Sequence, residues 1–327
     1  MTPWTAFDIP SQRGRTAVVT GTGGLGFQDA LALARADARV IIAGRNPSKG
    51  AAAVNRIREE IPGADVTFGL LDLASLDSVR SFAERLRSSH DSLDLLINNA
   101  AVMTPPRRQS TADGFELQLG TNYLGHFVLT AQIMPLLRKS KQARVVTLSS
   151  LAARSGAIDF DDLQAQRGYR PMQAYGQSKL ACLMFALELQ RRSDAAGWGI
   201  LSIAAHPGIS RTDLLPNGAG PRSVAGILRR YMWFLFQPAE QGALPTLFAA
   251  TALQARGGAY YGPDRLGEMR GYPTTAVIPP QALDTTVAAR LWTTSEELTG
   301  TVFPTGQGAR ADSMDRYLRS ASQRVSE

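Results

Sequence analysis

From residue 16 onward, short runs of Val, Ile, Leu and Ala alternate with longer stretches in which apolar residues recur every three or four positions. The short runs, 16–20, 39–43, 65–70, 93–98, 144–149 and 200–206, are too uniformly apolar to have one wet face. They read as strands of a parallel sheet covered on both sides. The longer stretches, 27–36, 47–60, 76–89, 114–138 and 174–196, carry the helical period. Strand, helix, strand in regular order predicts βαβ units and an α/β fold: one doubly wound parallel sheet, a Rossmann fold.

After residue 206 the rhythm changes to a glycine- and proline-rich stretch, 207–222, then an apolar helical stretch to residue 236 and a helix over 239–255. Residues 257–263 read as a turn leading into a last short strand. No repeat or composition break divides the chain, so a single domain is expected over 15–303. An extension (1–14) precedes it, a lid lies at about 209–240, and a polar, loose tail (304–327) follows.

Composition narrows the class. With 44% hydrophobic and 19% charged residues among 327, the chain can bury a large core. The single cysteine, Cys182, excludes an intrachain disulfide and fits a reducing, cytoplasmic location; its apolar surroundings predict a packing role. The first fifteen residues lack the apolar stretch of a signal peptide. The run 231–236, after Arg229 and Arg230, is too short to span a bilayer of ~20 helical residues, but its aromatics could lie on a membrane surface. The net charge of +7 is spread over amphipathic helices, as in Arg56 and Arg58, Arg85 and Arg87, and Arg138 to Lys141, with no nucleic-acid motif. Three scattered histidines, His90, His126 and His206, offer no metal-ligand spacing, and no Gly-x-Ser-x-Gly elbow supports a hydrolase.

Candidate chemistry lies at the ends of the expected strands. The first runs directly into Gly21, Thr22, Gly23, Gly24, Leu25 and Gly26, glycines that allow a tight turn and bring a pyrophosphate to the amides of the next helix. The second ends at Gly44 and Arg45, where a cation suits a 2′-phosphate; NADP is therefore favoured over NAD, whose ribose hydroxyls would call for Asp or Glu. Tyr175 and Lys179 stand one helical turn apart on a shared face. A phenol is a poor acid at neutral pH, and a nearby ammonium that stabilises its phenolate makes it a proton donor for a carbonyl or an acceptor from an alcohol.

These residues, with Asp72, Asn98 to Ala101, Asn122, Ser150, Pro207 and Gly208 in this order, resemble a short-chain dehydrogenase/reductase over roughly residues 15 to 215. Gly44-Arg45-Asn46, Thr121 to Phe127, Val145 to Ser150 and His206-Pro207-Gly208 are similar to the retinol-dehydrogenase-like branch. The resemblance implies an oxidoreductase in which a hydride passes between NADP(H) and a carbonyl or alcohol. It implies Asp72, with Leu73, at the adenine, and Asn99 and Ala100 at the adenine ribose. Lys179 would hold the nicotinamide ribose and keep Tyr175 acidic, Ser150 would bond the substrate oxygen, and Asn122 would support a water relay. Pro207, Gly208 and Thr212 would flank the nicotinamide carboxamide and phosphates.

The lid aromatics Trp233, Phe234 and Phe236 point to a lipophilic ketone or aldehyde. A homodimer or homotetramer through the helices 114–138 and 174–196 is a family habit. One departure stands out: the family spaces its first two glycines by three residues, whereas Gly21 and Gly24 are separated by two, with Gly23 supplying the slack. That shortened turn is what an alternative, a catalytically weak dinucleotide-binding regulatory or scaffold protein, would rest on.

Overall fold

A computed structural model of the chain describes residues 3–210 and 237–304. Its strands are β1 (Thr16–Thr20), β2 (Arg39–Gly44), β3 (Val66–Leu70), β4 (Leu95–Asn98), β5 (Arg144–Leu148), β6 (Leu201–Ala205), β7 (Tyr260–Arg265) and β8 (Arg270–Thr275). They form one sheet in the order β3-β2-β1-β4-β5-β6-β7-β8, parallel except for the β7–β8 hairpin. The order reverses between β1 and β4, and a ligand crevice is expected outside the carboxyl ends of the strands at that point.

The uniform apolarity of the strands has a direct structural cause. Ala17, Val19, Ile42 and Ile97 face one core, while the alternating residues Val18, Ile41, Leu96 and Val145 face the other. Helices α1 (Gly24–Arg35), α2 (Pro47–Glu60) and α6 (Ala239–Thr251) cover the first side. Helices α3 (Leu76–Ser89), α4 (Gly125–Leu137), α5 (Pro171–Ala196) and α7 (Thr285–Thr299) cover the second. Capping fixes where the helices begin. Asn46 accepts the Lys49 amide ahead of α2, Ser75 accepts that of Ser78 ahead of α3, and Asp284 accepts those of Thr286 and Val287 ahead of α7.

The sequence expectations need four corrections. Helix α1 starts at Gly24, inside the glycine turn, rather than at 27. The helix expected over 114–138 is α-helical only from Gly125; Leu119–Leu124 is a π-helical segment in which the Gly125 amide reaches the Gly120 carbonyl. Residues 260–263 belong to β7, not to a turn. Pro263 is tolerated there because it stands opposite Pro273, and the neighbouring Ala276 amide bonding Tyr260 makes theirs the pair that exchanges no hydrogen bonds. Strand β8 and helix α7 add two elements beyond the expected set. The expected lid lies largely in 211–236, with Trp233, Phe234 and Phe236, and falls outside the described residues, as do Thr212 and residues 305–327.

Helix α7 packs on α5, where Trp292 joins Phe127, Phe185 and Phe303 in an aromatic cluster with centroid separations of 4.4 to 6.3 Å. At the other end, Trp4 meets Phe248 of α6 edge-on at 5.3 Å, tying the N-terminal extension to the core.

Asp29 on α1 is fully buried, and neither carboxyl oxygen has a partner; burial pushes its pKa well above the usual carboxylate range. The Thr246 hydroxyl on α6, a helix packed against α1, is likewise unpartnered. Because the folded state keeps a proton that the unfolded carboxyl releases, stability is full at acid pH and falls as pH rises from about 4 through the folded pKa. Asp29→Asn removes this slope. Urea midpoints at pH 5 and pH 8 should show the variant gaining on the parent as pH rises; an unchanged difference would mean that Asp29 is ionised in the fold.

Candidate active site

The first turn explains how the shortened glycine segment closes. Gly21 has φ +101°, and a Cβ there would lie 2.7 Å from Asn99 Nδ2. A Cβ on Gly26 would lie 2.5 Å from the Gly21 carbonyl oxygen, and Gly24 has φ +53°. Gly23, by contrast, has open space at its Cβ position and serves as the N-cap of α1, with no side chain to cap it. The first-turn amides of Gly24, Leu25 and Gly26 thus have neither an intrahelical acceptor nor a capping oxygen, and the helix end that would meet a pyrophosphate keeps its donors free.

Thr20, at the end of β1, fastens this turn to its surroundings. Its Oγ1 accepts the amides of Asn99 and Ala100, both at 2.9 Å, and lies 2.9 Å from His126 Nε2. Asn99 Nδ2 returns a bond to the Thr20 carbonyl at 2.7 Å. His126 Nδ1 lies 2.9 Å from the carbonyl oxygen of Asn122, an acceptor, so Nδ1 carries the proton and Nε2 accepts from the Thr20 hydroxyl. Both lone pairs of Thr20 are thereby used, and its proton is shared between His126 Nε2 and, at 3.3 Å, the Ile97 carbonyl. Burial, partly offset by the Asn122 bond, pushes the His126 pKa down to about 4.

Beside the glycine turn, a cavity of about 300 Å3 is bounded by Thr22, Arg45, Asp72, Leu73, Ala100 and Thr121, among others. Asp72 Oδ1 accepts the Ala74 amide, and its second oxygen has no partner among the described residues. A larger cavity of about 980 Å3 runs from the glycine turn past Arg45, Lys49 and Arg56 to Asn99, Val102, Met103 and Leu117. Among the described residues, Arg45 and Lys49 have no ion-pair or hydrogen-bonding partner for their side-chain charge. Lys49, in the first turn of α2, was missed in the sequence. No local spacing signalled it, because Arg45 lies outside the helix that carries Lys49; only the fold brings both to the cavity wall.

The chemical residues come together at β5 and α5. Ser150 stands two residues past the end of β5 and caps the 3-10 turn Leu151–Ser155, accepting the Ala152 amide at 3.2 Å and keeping its own proton to donate. That turn fits tightly on α5: a Cβ on Gly156 would lie 2.5 Å from the Gly176 carbonyl oxygen, and one on Gly176 would lie 3.1 Å from that of Ala152. Tyr175 is therefore held against the Ser150 turn, and its hydroxyl has no hydrogen-bond partner among the described residues. Lys179 is buried one turn along and donates to the Leu148 carbonyl at 3.0 Å. Ser149 lies beside it, donating to the Lys179 carbonyl at 2.8 Å. Ser150, Tyr175 and Lys179 do not line either cavity, so their juxtaposition rests on this packing rather than on cavity shape.

Asn122 sits in the π-helical segment, but neither its side chain nor its carbonyl meets Lys179. Its amide clamps the strap after β4, accepting the Val102 amide at 2.8 Å and donating to the Val102 carbonyl at 3.0 Å and to Ser178 at 2.9 Å. Its backbone carbonyl accepts from His126 and from the Cys182 thiol at 3.1 Å. Cys182 is buried in the core. Pro207 and Gly208 follow β6, with Gly208 at φ +61° against the Met269 carbonyl.

A doubly wound sheet with an uncapped helix end at its switch point and a Ser, Tyr, Lys set on β5 and α5 defines a nicotinamide-type oxidoreductase, and residues 15–219 match the short chain dehydrogenase family. The chain belongs to that family of enzymes, which act on CH–OH groups. Within it the chain stands in the retinol-dehydrogenase-like branch. It is 40% identical to mouse retinol dehydrogenase 13, over 93% of this chain and 89% of that protein. It is also 40% identical to mouse polyprenol dehydrogenase, over 89% and 86%. A crystal structure of an uncharacterized protein from Mycobacterium Paratuberculosis superposes with a TM-score of 0.77 at 41% identity, over 93% of this chain and all of that one.

The neutral, buried His126 makes a pH prediction. The unfolded ring takes up a proton below its ordinary pKa of 6.5 and the folded ring only below about 4, so this stabilisation is full above 6.5 and is lost as pH falls toward 4. The loss is on the order of 3 kcal/mol. In His126→Gln, denaturant melts should show that part of the acid limb flattened; a limb as steep as the parent's would assign the slope elsewhere.

Proposed function

We propose that the protein is an NADP(H)-dependent carbonyl reductase of lipophilic ketones or aldehydes. The observation that carries this reading is the Tyr175 hydroxyl, without a partner among the described residues, on the helix that also buries Lys179 and packs against the Ser150 turn. When bound, the nicotinamide would supply the hydride. The protein's part is to bind, orient and move a proton. Ser150, with its O–H unspent, bonds the substrate oxygen, and Tyr175 donates the proton that completes the alcohol. Lys179, with two N–H groups beyond its Leu148 bond, is placed to hold the ribose and to stabilise the tyrosinate left behind.

NADP rather than NAD is favoured by Arg45 and Lys49, two cations on the cavity wall that form no ion pair among the described residues. The uncapped amides of Gly24, Leu25 and Gly26 suit a pyrophosphate despite the shortened turn, which supports cofactor seating over a weak, merely regulatory dinucleotide binder. A lipophilic substrate is supported by Val102, Met103, Pro105 and Leu117 along the strap and by relatives named for retinol and polyprenol. A cytoplasmic location, with contact to membranes as the source of such a substrate, belongs to the same proposal; among the described residues no helix is long and apolar enough to cross a membrane.

Incubation with NADPH and a panel of retinal, long-chain prenyl aldehydes and simple ketones should oxidise NADPH, and silence across the panel would sink the reductase reading. Tyr175→Phe should cut turnover by at least ~100-fold while leaving the NADPH dissociation constant within about twofold. Arg45→Glu should raise KM for NADPH by ~10-fold or more and leave that for NADH nearly unchanged; equal effects on both would assign cofactor choice to other residues.

A further inference from the structure

Arg154, His206 and Glu268 come from three separate parts of the chain and meet outside the Tyr175 site. His206 follows β6 directly before Pro207, and its fully buried ring lies over Gly262, where any Cβ would strike it. Nε2 is 2.8 Å from Glu268 Oε2, and Nδ1 is 3.2 Å from the Gly208 amide nitrogen. A carboxylate needs a donor and an amide N–H needs an acceptor, so the ring is neutral with its proton on Nε2. Burial favours the same state, pushing the His206 pKa down in spite of the carboxylate. Arg154, four residues after Ser150, places Nη2 2.7 Å from the same Glu268 oxygen, and the Val277 amide donates to Oε1 at 2.9 Å. Glu268 sits in the β7–β8 turn at φ +70°, a conformation that non-glycine residues hold only where their surroundings enforce it.

We propose that Glu268 and His206 are positioning residues for the cofactor wall: Glu268 fixes the Nε2–H tautomer of His206, and the bare Nδ1 holds the Gly208 amide and its left-handed turn in place. The proposal rests on the reading that Pro207 and Gly208 flank the nicotinamide. Gly208 is confined on its other side by the Met269 carbonyl of the same hairpin, and the Ile209 amide donates to that carbonyl at 2.8 Å. The hairpin therefore grips the segment from both sides, and the His206 bond sets its rotation. Arg154 extends the grip to the turn that Ser150 caps, so the nicotinamide wall and the substrate-oxygen donor share one anchor.

The test combines a spectroscopic reading with a double-mutant cycle on cofactor binding. The 15N spectrum of the full chain, which contains only three histidines, should show His206 as the neutral Nε2–H tautomer at pH 7. An Nδ1–H tautomer or an imidazolium would overturn the proposal. Glu268→Ala and His206→Leu should each raise the NADPH dissociation constant by about tenfold. The double variant should be no weaker than either single one, because one acts through the other. Effects that multiply to about a hundredfold would refute the coupling. His206→Asn, whose Oδ1 stands near the place of Nδ1, should stay within about threefold of the parent in affinity; a loss equal to that of His206→Leu would show that the Gly208 bond is irrelevant. If the parent binds neither NADPH nor NADH while the tautomer is as stated, it is the nicotinamide reading that fails, and the wall role with it.

Discussion

The hydroxyl of Thr20 stands where the first strand, the loop after β4 and the π-helical turn before α4 converge, and its hydrogen-bond capacity is completely used there. Accepting two backbone amides leaves it one proton, which faces His126 Nε2 at 2.9 Å and the Ile97 carbonyl at 3.3 Å, and His126 can share that proton because its own N–H is committed to the Asn122 carbonyl. The direction of every bond in the chain is therefore set by its neighbour. Consequences run both ways: Asn99 is pinned so closely that Gly21 and Gly26 can carry no side chain, while Asn122 is turned to clamp Val102 at the mouth of the crevice. In a buried setting such a network tolerates no missing member, since each orphaned group would bear its desolvation cost without compensation.

The β and α elements of the first two hundred residues were legible because their physics is local. A parallel strand covered on both faces needs an apolar middle, as Ala17 to Val19 and Val145-Val146 supply, and Asn46-Pro47 or Ser75 announce a helix start by side-chain chemistry alone. The π-helical turn was not legible. Leu119–Leu124 has the same apolar periodicity in either helix, and what widens it is tertiary: close packing of Gly120 on Thr111 and of Gly125 on the Leu73 carbonyl, together with the side-chain bonds on the Asn122 carbonyl. Strand β7 was hidden for a related reason. Gly262 and Pro263 carry turn chemistry, and only the register opposite Pro273 and the bulk of His206 explain why a strand uses them.

The site was legible as a list of residues more than as a set of contacts. Spacing alone put Tyr175 and Lys179 on one helix, but not the glycine-to-glycine approach of Gly156 and Gly176 that presses the Ser150 turn against that helix. The shortened glycine turn read as a deficit in the sequence. In three dimensions α1 begins at Gly24, so the lost residue comes out of the loop rather than the helix, and the donors at the helix end survive.

Strand β8 gives the sheet an antiparallel end, and its value lies in what its turn reaches. Gln237 donates to the Pro207 carbonyl and accepts the Gly271 amide, and its backbone bonds the Ile209 carbonyl. Ser210 and Gln237 pair as a bridge, so the chain between them departs and returns at one place, beside Pro207 and Gly208. Residues 207–210 and Gln237 are thereby fixed to the β7–β8 hairpin, and the same hairpin reaches the turn that Ser150 caps through Glu268 and Arg154, so one brace joins the segment after β6 to the segment after β5.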